Sequence, residues 1–135
     1  MGKLVVSKEV AEKEVTAWLD FKRVGEIKRE ENKEMITGLA NGLAEGDLTL
    51  DKKDFVFTQK LKFPIGSDND IKELKYKPRL SMLDIEKHSL NVKAGNTQAL
   101  LRAYICALTD QNSGIVKLMD TEDNKISQAI AIFFL

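Results

Sequence analysis

Cysteine is nearly missing from this sequence. The one present, Cys106, has no partner for an internal disulfide, which points to a reducing, cytoplasmic compartment. Histidine is as scarce. His88 stands alone, which excludes a helical pair of histidine ligands, and no serine, cysteine or carboxylate lies at a recognisable catalytic spacing from it. Paired cysteines and a glycine-rich phosphate loop are absent as well. Neither charge sign is in excess: 21 Lys+Arg balance 21 Asp+Glu. That balance argues against non-specific nucleic-acid binding, which needs surplus basic charge. It also leaves little like-charge repulsion to oppose a homo-oligomer. No stretch reaches the roughly 20 apolar residues of a membrane helix, so no membrane partner is expected. The opening run Met1–Val6 is too short for the apolar centre of a signal peptide.

What is present is a folding composition. The chain is 43% apolar and 31% charged over 135 residues, enough for one domain with a real core and no need of staples. The clearest pattern lies at Phe55–Ile65. There the odd positions 55, 57, 61, 63 and 65 are apolar and the even positions 58, 60 and 62 are polar. Period two marks a strand with one buried face. Gly66–Asp70 is turn chemistry, and Ile71–Arg79 answers with Leu74 and Tyr76 on one side and Lys75 and Lys77 on the other. The spacing predicts a β-hairpin with a lysine-rich outer face. The only two prolines, Pro64 and Pro78, sit at its margins, where a missing N–H is tolerated. Asp47–Leu50 adds a short strand before it.

Helical periods flank the hairpin. Ser7 is a plausible N-cap for a helix over about 7–24, whose apolar stripe includes Val10, Val15, Trp18 and Phe21. A second helix is predicted over about 30–45, with Gly38 and Gly42 inside it and Gly46 as its stop. Beyond Arg79, Ser81 and Asp84 form a weak capping box, and Met82, Leu83, Ile85 and Leu90 are expected to face inward. Leu100, Leu101, Tyr104, Ile105 and Leu108 mark a helix over 96–110. Ile115–Met119 is a short apolar segment, and a last helix runs over 120–135. The class is α+β: an N-terminal helical pair, a small antiparallel sheet and a helical C-terminal half. Residues 1–46 read as a helical extension and 47–135 as the α+β domain.

Few residues invite chemistry. Cys106, between Ile105 and Ala107 on a helix, reads as a packed thiol. The oxygen cluster Ser67–Asp70 lacks the alternate spacing and closing glutamate of a calcium loop, so it reads as a turn. Lys60, Lys62, Lys75 and Lys77, with Arg79 nearby, form a basic strip without interleaved aromatics, which suits a solvated sheet face that resists edge pairing. No catalytic, cofactor or metal residue is assigned. The C-terminal run Ala129–Leu135 is apolar on every side of a helix. Either its own domain covers it or a partner chain covers Ile132 or Leu135.

An ordered string of motifs extends this reading. Leu61-Lys62-Phe63-Pro64-Ile65 is followed by Ile71-Lys72-Glu73-Leu74-Lys75-Tyr76-Lys77-Pro78, then Ala103-Tyr104-Ile105-Cys106-Ala107-Leu108-Thr109. Leu118-Met119-Asp120-Thr121-Glu122-Asp123 comes last, with Ile126, Ile130 and Phe134-Leu135. In this order and spacing, residues 57–135 resemble the small Mu-like tail assembly chaperones of tailed bacteriophages. The resemblance rests on the series rather than on any one piece. The two helices before it depart from the family, whose members begin close to the first strand. It implies a non-enzymatic protein of the host bacterial cytoplasm that coats the tape measure protein and helps recruit tail tube protein. The apolar positions Leu101, Ile105, Ile130, Phe133, Phe134 and Leu135, with the Gly38/Gly42 face, are then the expected partner-binding surface. Two other readings stand beside it: a structural virion protein of the tail or neck, and a small enzyme using His88 and scattered carboxylates.

Overall fold

The computed structural model describes residues 4–135. The reading of Met1–Val6 as too short for a leader falls partly outside that range. Ser7 opens α1 (Lys8–Phe21) by accepting a hydrogen bond from the Val10 N–H. Its apolar stripe turns Ala11, Val15, Trp18 and Leu19 into the core. The helix expected over about 30–45 is α3 (Lys33–Glu45), and a short helix not expected from the sequence, α2 (Glu26–Glu31), precedes it and meets it at Asn32. The Asn32 side chain donates to the Lys28 carbonyl at 2.9 Å, a local bond that competes with helix continuation. The N-terminal part is therefore three helices, not a pair. α3 ends on Gly46 at φ +88°, a left-handed conformation that L side chains rarely adopt.

Three strands follow, β1 (Leu48–Asp51), β2 (Val56–Ile65) and β3 (Ile71–Tyr76), in an antiparallel sheet with β2 central. The hairpin alternation holds at its base: Phe57, Leu61, Leu74 and Tyr76 are buried and Lys60 and Lys75 exposed. Between the pairs Lys60↔Glu73 and Ile65↔Ile71 the ladder is irregular, and β2 residues 61–64 stand opposite Lys72 alone. A bulge bends the strand and re-aims its side chains. Phe63, expected on the inner face, is 54% exposed. Phe55 lies just outside β2 at φ +56° and stacks its ring on Phe21, 4.4 Å between centroids.

The C-terminal half is α4 (Met82–Ser89), α5 (Thr97–Thr109), α6 (Ser113–Val116) and α7 (Thr121–Ala131), closed by a 3-10 turn at Ile132–Phe134. Side-chain caps mark the starts: Ser81 and Asp84 complete a reciprocal capping box on α4, and Asn96 caps α5. The fold class is α+β, with helices ahead of the sheet and a helical half behind it.

One hydrophobic core runs through both halves. Trp18 of α1 is 1% exposed and packs on Phe57 of β2 at 4.8 Å and edge-on against Phe133 at 5.8 Å between ring centroids. A Cβ added at Gly42 of α3 would touch Ile126 of α7 and Leu48 of β1, each at 3.5 Å. The first 46 residues are thus part of the common core. Trp18 and Leu39 are as deeply enclosed as any residue of the sheet.

Candidate interaction surface

Two places in the molecule gather polar or charged side chains around apolar ones. The first lies where α7 meets β2. Asp123, in the first turn of α7, is 1% exposed. Its carboxylate accepts from the Lys62 N–H at 2.9 Å and from the Phe63 N–H at 3.1 Å. Consecutive N–H groups of a regular strand point to opposite sides. Here the bulge brings both to one acceptor, which satisfies β2 where the ladder fails. Gln59, fully buried, donates to the Asp123 carbonyl at 2.8 Å and accepts from the Tyr76 hydroxyl at 2.6 Å. The Ser127 hydroxyl lies 2.6 Å from that of Tyr76. Burial holds the Tyr76 phenol well above its ordinary pKa, with the nearby Asp123 charge adding to the rise and the Ser127 bond opposing it. Among the described residues, every buried side-chain polar atom of this node has a partner. It is a lock between sheet and helix.

The second place is a cleft of about 230 Å³ between α4 and the C-terminal turn. Met82 and Ile85 of α4, Tyr104 of α5, Phe134 of the C-terminal turn and the two cations Lys22 and Arg79 are among the residues that line it. Lys22 follows α1 directly, and its ammonium sits over the Phe134 ring at 3.2 Å from the centroid and 5.8 Å from that of Trp18. Such ring faces attract a cation. Even so, the Lys22 pKa is lowered to about 8, first by burial and then by the charges of Arg79 and Lys28. Lys28 itself donates to the Leu135 main-chain oxygen at 2.7 Å, which ties α2 to the end of the chain. Among the described residues, no carboxylate forms an ion pair with Lys22 or Arg79.

α4 borders this cleft and buries no residue of its own. Met82, Leu83 and Leu90, expected to face inward, are 77%, 63% and 82% exposed. The correction has a geometric cause. α4 is eight residues long and packs chiefly against α5, so its outer face has nothing over it.

The six positions expected to bind a partner divide. Leu101, Ile105, Ile130 and Phe133 are 7%, 2%, 0% and 3% exposed and belong to the chain's own core. They are not available as a docking surface. The tightening of α7 into the 3-10 turn tucks Phe133 against Trp18 and leaves Phe134 half-buried on the cleft wall, with Leu135 beside it and exposed. Gly42 is buried at a helix contact, while Gly38 faces open space. The residues missed in the sequence are Met82 and Leu83, along with the cationic pair Lys22 and Arg79. Their sequence separation gives no hint that they meet.

The remaining candidates are quiet. His88 is half-buried in a separate cleft lined by Lys87, Arg102, Lys117 and the Cys106 edge, with no carboxylate in its lining. Burial pushes the Cys106 thiol up, although the Arg102 charge opposes the rise. A raised pKa is the opposite of what a nucleophilic thiol needs. The basic strip on the hairpin is partly neutralised: Lys62 pairs with Asp47, Lys77 with Asp110, and Lys60 lies across from Glu73 in the ladder. Among the described residues no helix is long and apolar enough to cross a membrane, and no group of three or more His, Cys, Asp or Glu side chains is placed to hold a metal ion. Set against protein-family models, curated proteins and solved structures, the chain matches none.

Proposed function

We propose that this chain is a non-enzymatic binding protein of the tail assembly chaperone kind, which shields the tape measure protein and engages tail tube protein during phage tail assembly in the host bacterial cytoplasm. The observation that carries the reading is α4: a helix with a reciprocal N-terminal capping box and no buried residue, which holds Met82 and Leu83 in solvent, with exposed Leu90 just beyond its end. Isolated exposed apolar residues are ordinary, but an apolar helix face beside an open cleft favours a protein partner. The motif series over residues 57–135 directs the choice of partner, and the quiet surroundings of His88 and Cys106 favour binding over catalysis.

Co-expression with a tape measure protein tests it. The soluble fraction of that protein is expected to rise several-fold in the presence of this chain. An unchanged fraction defeats the reading. Mass spectrometry of purified virions distinguishes a chaperone, which leaves the particle, from a structural tail or neck protein, which stays. Substituting His88 with Ala should leave the solubilising effect intact.

A further inference from the structure

We infer that the cleft between α4, α5 and α6 is a binding site for a phosphomonoester, whose phosphate is held by Lys87, Arg102 and Lys117 and whose organic body rests on an apolar floor. Such a site goes beyond the chaperone reading and does not depend on it.

The hollow comes from α5. Ala99, Arg102, Ala103 and Cys106 recur at three- and four-residue steps, so they share one face of the helix. Ala103 and Cys106 are buried, and their side chains and that of Ala99 are small, which leaves a space of about 330 Å³ beside α4 and α6. Small-molecule pockets run from roughly 300 to 1,000 Å³, so this one suits a compact ligand. Lys87 and His88 line it from α4, Arg102 from α5, and Ser113 and Lys117 from α6 and the residue that follows. Leu90 and Val92 complete its apolar part.

Cations without ion pairs are common on this surface, so a missing partner alone selects nothing. What sets this cleft apart is convergence. Three elements bring three cations, the sole histidine and a hydroxyl to one concavity, and among the described residues no carboxylate lines it. The neutral composition of the chain gives no bias towards such a grouping. The hollow along α1 is the opposite case, with Glu9, Glu12 and Asp20 beside Lys13. A smaller cleft of about 180 Å³ shares Arg102 and Lys117, adds the amides of Gln98, Asn124 and Gln128, and again has no carboxylate in its lining. Arg102, half-buried, therefore stands between two hollows that both offer donors to an anion.

The ligand class follows from the donors. A guanidinium presents paired N–H groups that match two phosphate oxygens, and lysines act on the same group as point charges. A phosphomonoester carries about −1.5 to −2 charges at pH 7 and three acceptor oxygens. A monocarboxylate brings one charge and two oxygens, too few for three cations. A long polyanion needs basic charge spread along a surface, which a chain of 21 Lys+Arg and 21 Asp+Glu does not supply.

The test titrates the full chain with phenyl phosphate, inorganic phosphate and benzoate by calorimetry, and floats it with phosphatidic acid vesicles. Phenyl phosphate is expected to bind at least tenfold more tightly than benzoate and several-fold more tightly than inorganic phosphate, with amide shifts confined to residues 87–92, 99–106 and 113–117. Arg102→Gln should weaken it at least tenfold, and Arg102→Lys, which keeps the charge and loses the fork, should recover only part of that loss. Lys87→Gln and Lys117→Gln, both at exposed positions, should weaken it about threefold each while circular dichroism shows an unchanged fold. Lys72→Gln, exposed on the hairpin, should leave affinity as it was. Absence of binding, benzoate binding as tightly as phenyl phosphate, retained affinity when Lys87→Gln and Lys117→Gln are combined, or an equal loss in Lys72→Gln overturns the site. The vesicles identify the source of the phosphate. Phenyl phosphate binding without flotation makes it a soluble molecule, and flotation lost in the combined variant makes it a lipid headgroup. Both results uphold the site.

Discussion

The junction of α7 with β2 and the cleft beside α4 are opposite solutions to placing polar groups near an apolar interior. At the junction, Asp123, Gln59, Tyr76 and Ser127 are all buried and all partnered. At the cleft, Lys22 is half-buried without a counter-ion and Met82 and Leu83 stand in water. A satisfied polar network fixes one arrangement of the chain, because any other leaves a donor or acceptor stranded. A half-buried cation without a counter-ion fixes nothing in the same way. Polar satisfaction is thus complete at one place in this small core and incomplete at the other.

Four variants sharpen or break that contrast. Asp123→Ala strands the N–H groups of Lys62 and Phe63 at the bulge. It should cost roughly 2–4 kcal/mol in urea denaturation, since a hydrogen bond to a charged group contributes about 1.5–3 kcal/mol and these two are part-buried. A loss within experimental error would remove the lock from the account. Tyr76→Phe takes one hydroxyl from a node in which Gln59 and Ser127 remain, and about 1–2 kcal/mol of destabilisation is expected from the same measurement.

Lys22→Met probes the other region through pH. The folded state holds Lys22 near 8 against an ordinary 10.5, so its charged form is disfavoured on folding. The penalty is complete below about 8 and is relieved as pH rises towards 10.5, where the unfolded chain binds more protons than the folded one. The groups facing it are Arg79 and Lys28, both of which act in the same direction, with Tyr104 on the cleft wall. Lys22→Met should therefore be at least as stable as the parent at pH 7, and the advantage should shrink by pH 9.5. A variant markedly less stable at pH 7 would show that the ring contacts with Phe134 and Trp18 outweigh the crowding. The smallest effect belongs to Met82→Ser with Leu83→Ser. Exposed positions away from caps and cores shift stability by about 0.5 kcal/mol or less, so the urea midpoint should barely move.

Much of the contrast is illegible in the sequence, for definable reasons. Alternation found β2 and β3, and capping residues found α1, α4 and α5, because these signals are local. The division at Asn32 rests on one side-chain bond inside a dense run of charge that reads equally well as a continuous helix. Phe63 was misplaced because strand parity assumes a regular ladder, and nothing at Lys60–Ile65 announces the bulge. Leu101, Ile105, Ile130 and Phe133 were correctly seen as apolar helix positions. Periodicity shows which face is apolar and not whether the covering surface belongs to the same chain. Met82 and Leu83 fail in the reverse sense: they have core chemistry on a helix too short and too peripheral to be covered. Gln59 and Asp123 form their bond across 64 residues, which no window of pattern spans.

Trp18 carries a practical consequence. It is the sole tryptophan, enclosed by Phe57, Phe133 and Phe134, with the Lys22 ammonium 5.8 Å from its ring. Its emission therefore comes from a single, dry indole that senses both the seating of the last three residues and the charge at the cleft mouth. The molecule carries its own optical gauge, readable without a label: unfolding moves the colour of the light.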